Sequence, residues 1–146
     1  MTTADARLLA ERVAASMYAR DTATQALGIR IAHVGPGFAE LAMAVRADML
    51  NGHEICHGGF IFLLADSAFA YACNSYNLNA VASGGAIEFT SPARAGDVLT
   101  ARAHERELAG RTGVYDVEVA NARGETVALF RGKSYRIKGH LIDEAA

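Results

Sequence analysis

Apolar residues recur along this chain with two different periods, and in one stretch with none. Between residues 4 and 19, Leu9, Val13 and Met17 follow at four-residue spacing, while Asp5, Glu11 and Arg12 take other faces. That is the period of an amphipathic helix, and Thr3 stands where it can cap it. Asp21 can start a short second helix that ends near Gly28. Two strands are expected next, over residues 27–34 and 38–45, with Gly35, Pro36 and Gly37 as the turn between them. In the second, Ala39, Leu41, Met43 and Val45 alternate with Phe38, Glu40, Ala42 and Ala44, the two-residue period of a half-buried strand. Residues 46–57 read as a loop. Beyond residue 79 the period is again that of strands, over 80–90, 98–108, about 114–119 and 126–137. Ser91-Pro92, Ala109-Gly110 and the run Asn121 to Gly124 mark the turns between them.

The stretch without a period is residues 60–73, FIFLLADSAFAYAC, preceded by NGHEICHGG. A helix that is apolar all round is buried on all sides. The element order is helix, two strands, buried helix, four hairpin-connected strands. This predicts an α+β fold in which a curved antiparallel sheet wraps around a central apolar helix. Repeats, low-complexity segments and linkers are absent from the sequence, so residues 1–146 read as a single domain. Its tail, from about residue 138, has little pattern and is expected to be mobile.

Two polar side chains interrupt the central helix, Asp66 and Ser67. The helical neighbours of Asp66 are Phe62, Leu63, Phe69 and Ala70, none of which can pair with a carboxylate. An unpartnered acid in such a place is expensive and points to chemistry. Gly58 and Gly59 stand at the expected helix start, where unpaired N–H groups and the helix dipole favour a developing negative charge. Gly58 and Asp66 are eight residues apart, about 12 Å along a helix at about 1.5 Å per residue. An oxyanion donor and a base must both lie within about 3 Å of the reacting group. The two features therefore meet only if a second copy supplies one of them, which predicts a dimer with two shared sites.

Composition narrows the remaining classes. An apolar fraction of 51% suits a compact globule. The net charge is −2 and basic residues form no stripe, which argues against nucleic acid as a partner. No apolar run reaches the length of a membrane span, and the N-terminal MTTADARLLAERV lacks the apolar core of a secretory signal. A cytoplasmic protein without a membrane partner is expected, with Cys56 and Cys73 as reduced thiols. His53, Cys56 and His57 lack the paired ligand sets of structural zinc, so no metal site is expected. Ser83-Gly84-Gly85 lacks the flanking pattern of a nucleophile elbow. His33, His104 and His140 read as surface residues.

The segment NGHEICHGG…LLADSAFAYA, the strand ending in FTSPARAGD and the closing GVYDVEVANARGETVALFRGKSYR together resemble the PaaI-type acyl-CoA thioesterases of the phenylacetate pathway, which have the hotdog fold. The resemblance spans roughly residues 27–137. It implies that Asp66 is the catalytic acid, acting as general base or nucleophile. It implies that the Gly58 N–H of the partner subunit polarises the thioester carbonyl. Asn51 becomes a helper near the carbonyl or the attacking water, and His57 a residue that orients the loop, with Gly59 and Ser67 as substrate-side neighbours. It also implies an acyl-CoA substrate, phenylacetyl-CoA or a ring-hydroxylated relative, no cofactor, and a tetramer built from two dimers. Arg94, Arg111, Arg131, Lys133 and Arg136 are candidates for the CoA phosphates. Two other readings of the same fold are a hydratase acting on enoyl-CoA and a protein that binds acyl-CoA without cleaving it.

Overall fold

The structure, a computed structural model, describes residues 1–144. Its elements are helices α1 (Thr3–Arg20), α2 (Thr22–Ala26) and α3 (Gly58–Cys73), and strands β1 (Arg30–Gly35), β2 (Phe38–Ala44), β3 (Ala80–Phe89), β4 (Val98–Ala109), β5 (Thr112–Ala120) and β6 (Thr126–Arg136). A short 3-10 turn, Ala47–Met49, interrupts the loop before α3. The six strands form one antiparallel sheet in the order β1-β2-β4-β5-β6-β3. Helix α3 packs against all six of them. This is the hotdog arrangement, an α+β fold with the central helix held in the curve of the sheet.

Among the boundaries that differ from expectation, two have a local cause. Thr2, not Thr3, caps α1: its hydroxyl accepts from Asp5 N–H at 3.0 Å, while the Asp5 carboxylate accepts from Thr2 N–H at 3.2 Å. That is a reciprocal capping box, satisfying two otherwise orphaned donors. β1 starts at Arg30 rather than at residue 27, because Leu27 closes α2 and Gly28 turns the chain at φ +68. Leu27 and Ile29 are apolar for helix packing and core filling, and together they imitate a strand's alternation.

The core lies between α3 and the inner face of the sheet. β2 contributes Ala39, Leu41 and Met43, β4 Leu99, Ala101 and Ala103, β5 Tyr115, Val117 and Val119, and β6 Ala128 and Phe130. α3 answers with Leu64, Ala65, Ala68, Phe69 and Ala72, all at most 1% exposed. The rings of Phe69, Phe130 and Tyr115 stack at tilted angles in the middle of this layer. Gly132 lies beneath them, where an added Cβ would come within 2.9 Å of both the Phe69 and Phe130 rings. Rings locked in a close-packed core cannot yield cheaply. Gly132→Ala should therefore destabilise the fold by about 1–3 kcal/mol, read as a fall in Tm.

Helix α3 is not buried all round. Phe62, Leu63, Asp66 and Ala70 remain partly exposed along one stripe. β3 is an edge strand, ten residues long, and nearly all of it is exposed. Its sequence AVASGGAIEF carries a single charge and no proline.

Past β6 there is no regular element among the described residues, and the segment expected to be mobile is tied down along its described part. The Asn77 side chain, itself 1% exposed, accepts from Leu141 and Ile142 N–H at 2.9 Å each and donates to the Ile142 carbonyl at 3.0 Å. Asn79 bonds the Lys138 carbonyl through its side chain and the Gly139 carbonyl through its N–H. Among the described residues no helix is long and apolar enough to cross a membrane. Cys56 and Cys73 are free and buried, and burial pushes the Cys73 thiol up to about 12.

Candidate active site

The loop before α3 is built around Asn51. Its Oδ1 accepts from the N–H groups of His53 (2.9 Å) and Ile55 (3.4 Å), and its backbone N–H donates to the Ile55 carbonyl. An Asn side chain that accepts from the backbone two residues on mimics a turn. This one carries the chain through Glu54, whose φ is +60. Asn51 thus spends its carbonyl on the loop and keeps its Nδ2 free of protein partners among the described residues.

The same loop fixes the helix start. Cys56 N–H donates to the Ala93 carbonyl at 2.7 Å and His57 N–H to the Met49 carbonyl at 2.8 Å. His57 is the N-cap of α3, and its Nδ1 accepts from Gly59 N–H at 3.0 Å. The imidazole thus caps the helix through Nδ1, with Nε2 on the far side of the ring. The Gly59 N–H is thereby taken. The Gly58 N–H, first in the helix, has no acceptor among the described residues, so the positive end of the dipole is concentrated there.

Gly58 opens onto a cleft of about 580 Å³ whose lining includes Asn51, Cys56, Ile61, Phe89 and Pro92. Asn51, Gly58 and the capping His57 are therefore brought together in one chain. Asp66 does not line this cleft. It lies two helical turns on, on the half-open stripe of α3. Among the described residues it has neither a hydrogen bond nor an ion pair, and burial alone raises its carboxyl above the ordinary carboxylate value.

Ser67 is not brought to either place. It is buried on the side of α3 that faces α2, where its hydroxyl donates to the Leu63 carbonyl at 2.7 Å and meets Thr24 Oγ1 at 3.3 Å. Thr24 in turn donates to Asp21, as does the Tyr71 hydroxyl. That cluster fastens α2 to α3. Among the basic candidates, Arg131 is held by Asp116 through two bonds of 2.6 and 2.9 Å. Arg111 donates to the Arg136 carbonyl, and Arg136 lies over the Tyr76 ring. Arg94 and Lys133 are both exposed with no side-chain partner among the described residues, and of the two only Arg94 adjoins a cleft-lining residue, Ala93.

Phe89 to Ala93, the far wall of the cleft, do not stand out in the sequence as site residues. The visible signal was only the strand stop at Ser91-Pro92. That this stop lies against the start of α3 depends on the Cys56–Ala93 pairing, which no local pattern announces.

The geometry joins an unpaired acid and an unpaired helix-start donor on one buried helix. A profile of the thioesterase superfamily matches residues 53–128, which hold His57, Gly58 and Asp66. The chain is 55% identical to the acyl-coenzyme A thioesterase PaaI of Escherichia coli (strain K12), over 89% of this chain and 93% of that protein. It superposes on the structure of the E. coli PaaI protein from the phenylacetic acid degradation operon with a TM-score of 0.91 at 54% identity, covering 92% of this chain and 97% of that one. A mutant of the phenylacetic acid degradation protein PaaI from Thermus thermophilus superposes with a TM-score of 0.77 at 44% identity, over 80% of this chain and 100% of that one. By fold and sequence the chain belongs to the thioesterase superfamily, among its PaaI-type members, and is a thioester hydrolase.

Proposed function

We propose that this chain hydrolyses acyl-CoA thioesters, with phenylacetyl-CoA or its ring-hydroxylated forms as the preferred substrates, yielding the free acid and CoA. The observation that carries the reading is the pair formed by the unpartnered Asp66 carboxylate and the unpaired Gly58 N–H at the head of the same helix. The E. coli relative, an acyl-coenzyme A thioesterase, supports the acyl-CoA part, and its place in the phenylacetic acid degradation operon supports the aromatic part.

Hydrolysis asks for stabilisation of the carbonyl oxygen and for a nucleophile at the carbonyl carbon. The Gly58 N–H and the helix dipole meet the oxygen, aided by the free Nδ2 of Asn51 at the cleft wall. His57 holds the donor in place by fixing the next N–H. Asp66 either takes a proton from a water that attacks, or attacks itself to give an anhydride that water then opens. In both routes the C–S bond breaks and CoA leaves as a thiolate, so no strong acid is required on the leaving side. Arg94, uncommitted and beside the cleft, is the favoured cation for a CoA phosphate.

Because Gly58 and Asp66 are about 12 Å apart along one helix axis, each site combines Gly58 of one subunit with Asp66 of another. Two apolar surfaces support that assembly. The β3 edge offers a row of unpaired backbone groups with one charge, Glu88, and no proline to protect it. The open stripe of α3 leaves Phe62 and Leu63 incompletely covered. A two-fold dimer pairing at β3, doubled into a tetramer, is the assembly proposed.

Free-thiol release from a panel of acyl-CoA esters tests the function. Phenylacetyl-CoA and hydroxyphenylacetyl-CoA should be cleaved faster than straight-chain esters of similar size. Cleavage of straight-chain esters alone would remove the aromatic preference. Hydration of an enoyl-CoA, or tight binding without any thiol release, would overturn the hydrolytic reading.

A further inference from the structure

Phe89 is the last residue of β3 and pairs with Ala128 of β6. Residues paired across an antiparallel ladder point to the same face, and Ala128 is buried in the core. The Phe89 ring therefore lies on the inner face, towards α3. It is nonetheless 53% exposed, because β3 is the sheet edge and the strand ends beside the first turn of the helix. A Cβ built on Gly58 would come 2.9 Å from Phe89 Cζ and 3.3 and 3.4 Å from the two adjacent ring carbons. The ring thus rests directly on the Gly58 backbone, and it lines the same cleft as Asn51.

An inward-facing aromatic ring left half exposed contributes little to the core. Placed against the carbonyl-binding N–H, it offers a flat apolar wall to whatever hangs from the carbonyl carbon. Aromatic rings prefer offset or edge-to-face contact with other rings, beyond simple area burial.

We propose that Phe89 is a specificity-determining residue, its ring forming the wall beside the Gly58 donor against which an aromatic acyl group packs. This rests on the thioesterase reading above and extends it to a named contact. It also gives residue 58 a second reason to be glycine: any side chain there would displace the ring as well as crowd the donor.

The test compares kcat/KM for phenylacetyl-CoA and butyryl-CoA in the wild type, Phe89→Leu and Phe89→Tyr, with Tm as a check on folding. Phe89→Leu keeps an apolar side chain and removes the ring. The ratio of phenylacetyl to butyryl turnover should fall about tenfold, the size of a lost ring–ring contact, mainly through the KM for phenylacetyl-CoA. Phe89→Tyr keeps the ring and should keep the ratio. A wild type active on both esters with a ratio that changes less than twofold in Phe89→Leu would overturn the assignment of Phe89 and leave the thioesterase reading standing. A wild type that releases thiol from neither ester would overturn the thioesterase reading itself.

Discussion

Asp66→Asn should reduce thiol release by about 100- to 10,000-fold, the range associated with a lost general base, while leaving a folded protein at least as stable as the wild type. The two halves of that expectation have one cause. Asp66 is half-buried without a hydrogen bond or counter-charge among the described residues, and burial raises its carboxyl above the ordinary value. A raised carboxyl means that the folded state penalises the ionised form. The penalty is complete above the raised value and disappears as pH falls through it and below the unfolded value of about 3.9. Asparagine has nearly the same shape and no charge to desolvate. Its Tm should equal or exceed the wild-type Tm at pH 7, and the difference should close towards pH 4. Activity runs the other way. With Asp66 as the proposed base or nucleophile, wild-type thiol release would need the ionised acid and should decline on the acid side at a pH above the ordinary carboxylate value. A Tm lowered by several degrees at pH 7 would mean that Asp66 supports the fold, and a variant of normal activity would remove it from the mechanism.

The second large effect is complementation between two inactive chains. If each site takes Asp66 from one subunit and Gly58 from the other, Asp66→Asn and Gly58→Ala homodimers are dead at both sites. In a mixed dimer both defects fall in one site, and the other site is whole. Random reassembly makes about half the dimers mixed, each with one working site of two, so about a quarter of wild-type activity should return. The measurement is thiol release after the two variants are unfolded together and refolded, against each refolded alone. Activity no higher than the sum of the separate variants would show that each chain builds its site by itself. The Gly58 variant carries a known perturbation, since its Cβ meets the Phe89 ring. That does not blur the result, because the intact site in the mixed dimer uses the unaltered Gly58.

The centre of this fold was legible because one segment carries two independent signals. Residues 58–73 combine an apolar run, broken only by Asp66 and Ser67, with glycines at its head, and the helix observed has those same bounds. Asp66 stood out because nothing at helical spacing could partner it. The cap of α1 was misplaced by one residue although the signal was there: Asp5 lies three residues after Thr2, the observed cap, whereas Ala6 lies three after Thr3, the expected one. Other features were not legible, for different reasons. Ser67 adjoins Asp66 in sequence but is turned about 100° around the helix, into the cluster with Thr24 and Asp21. The openness of one stripe of α3 depends on where the sheet stops, which composition does not specify. The Phe89 wall depends on a strand end meeting a helix start more than thirty residues before it in the chain.

Helix α3 is clamped at its head by the bonds of Cys56, His57 and Gly59, and at its foot by Asn74, whose side chain bonds both Ala70 and Ala80. Between those clamps it behaves as a ruler. The distance from its donor to its acid, which in the proposed dimer serve two different sites, is set by two turns of helix. In the proposed dimer each ruler also reaches into both sites, giving its head to one and its middle to the other. In that assembly a substrate that displaced one helix along its axis would move a residue of the second site as well, which would couple the two turnover cycles.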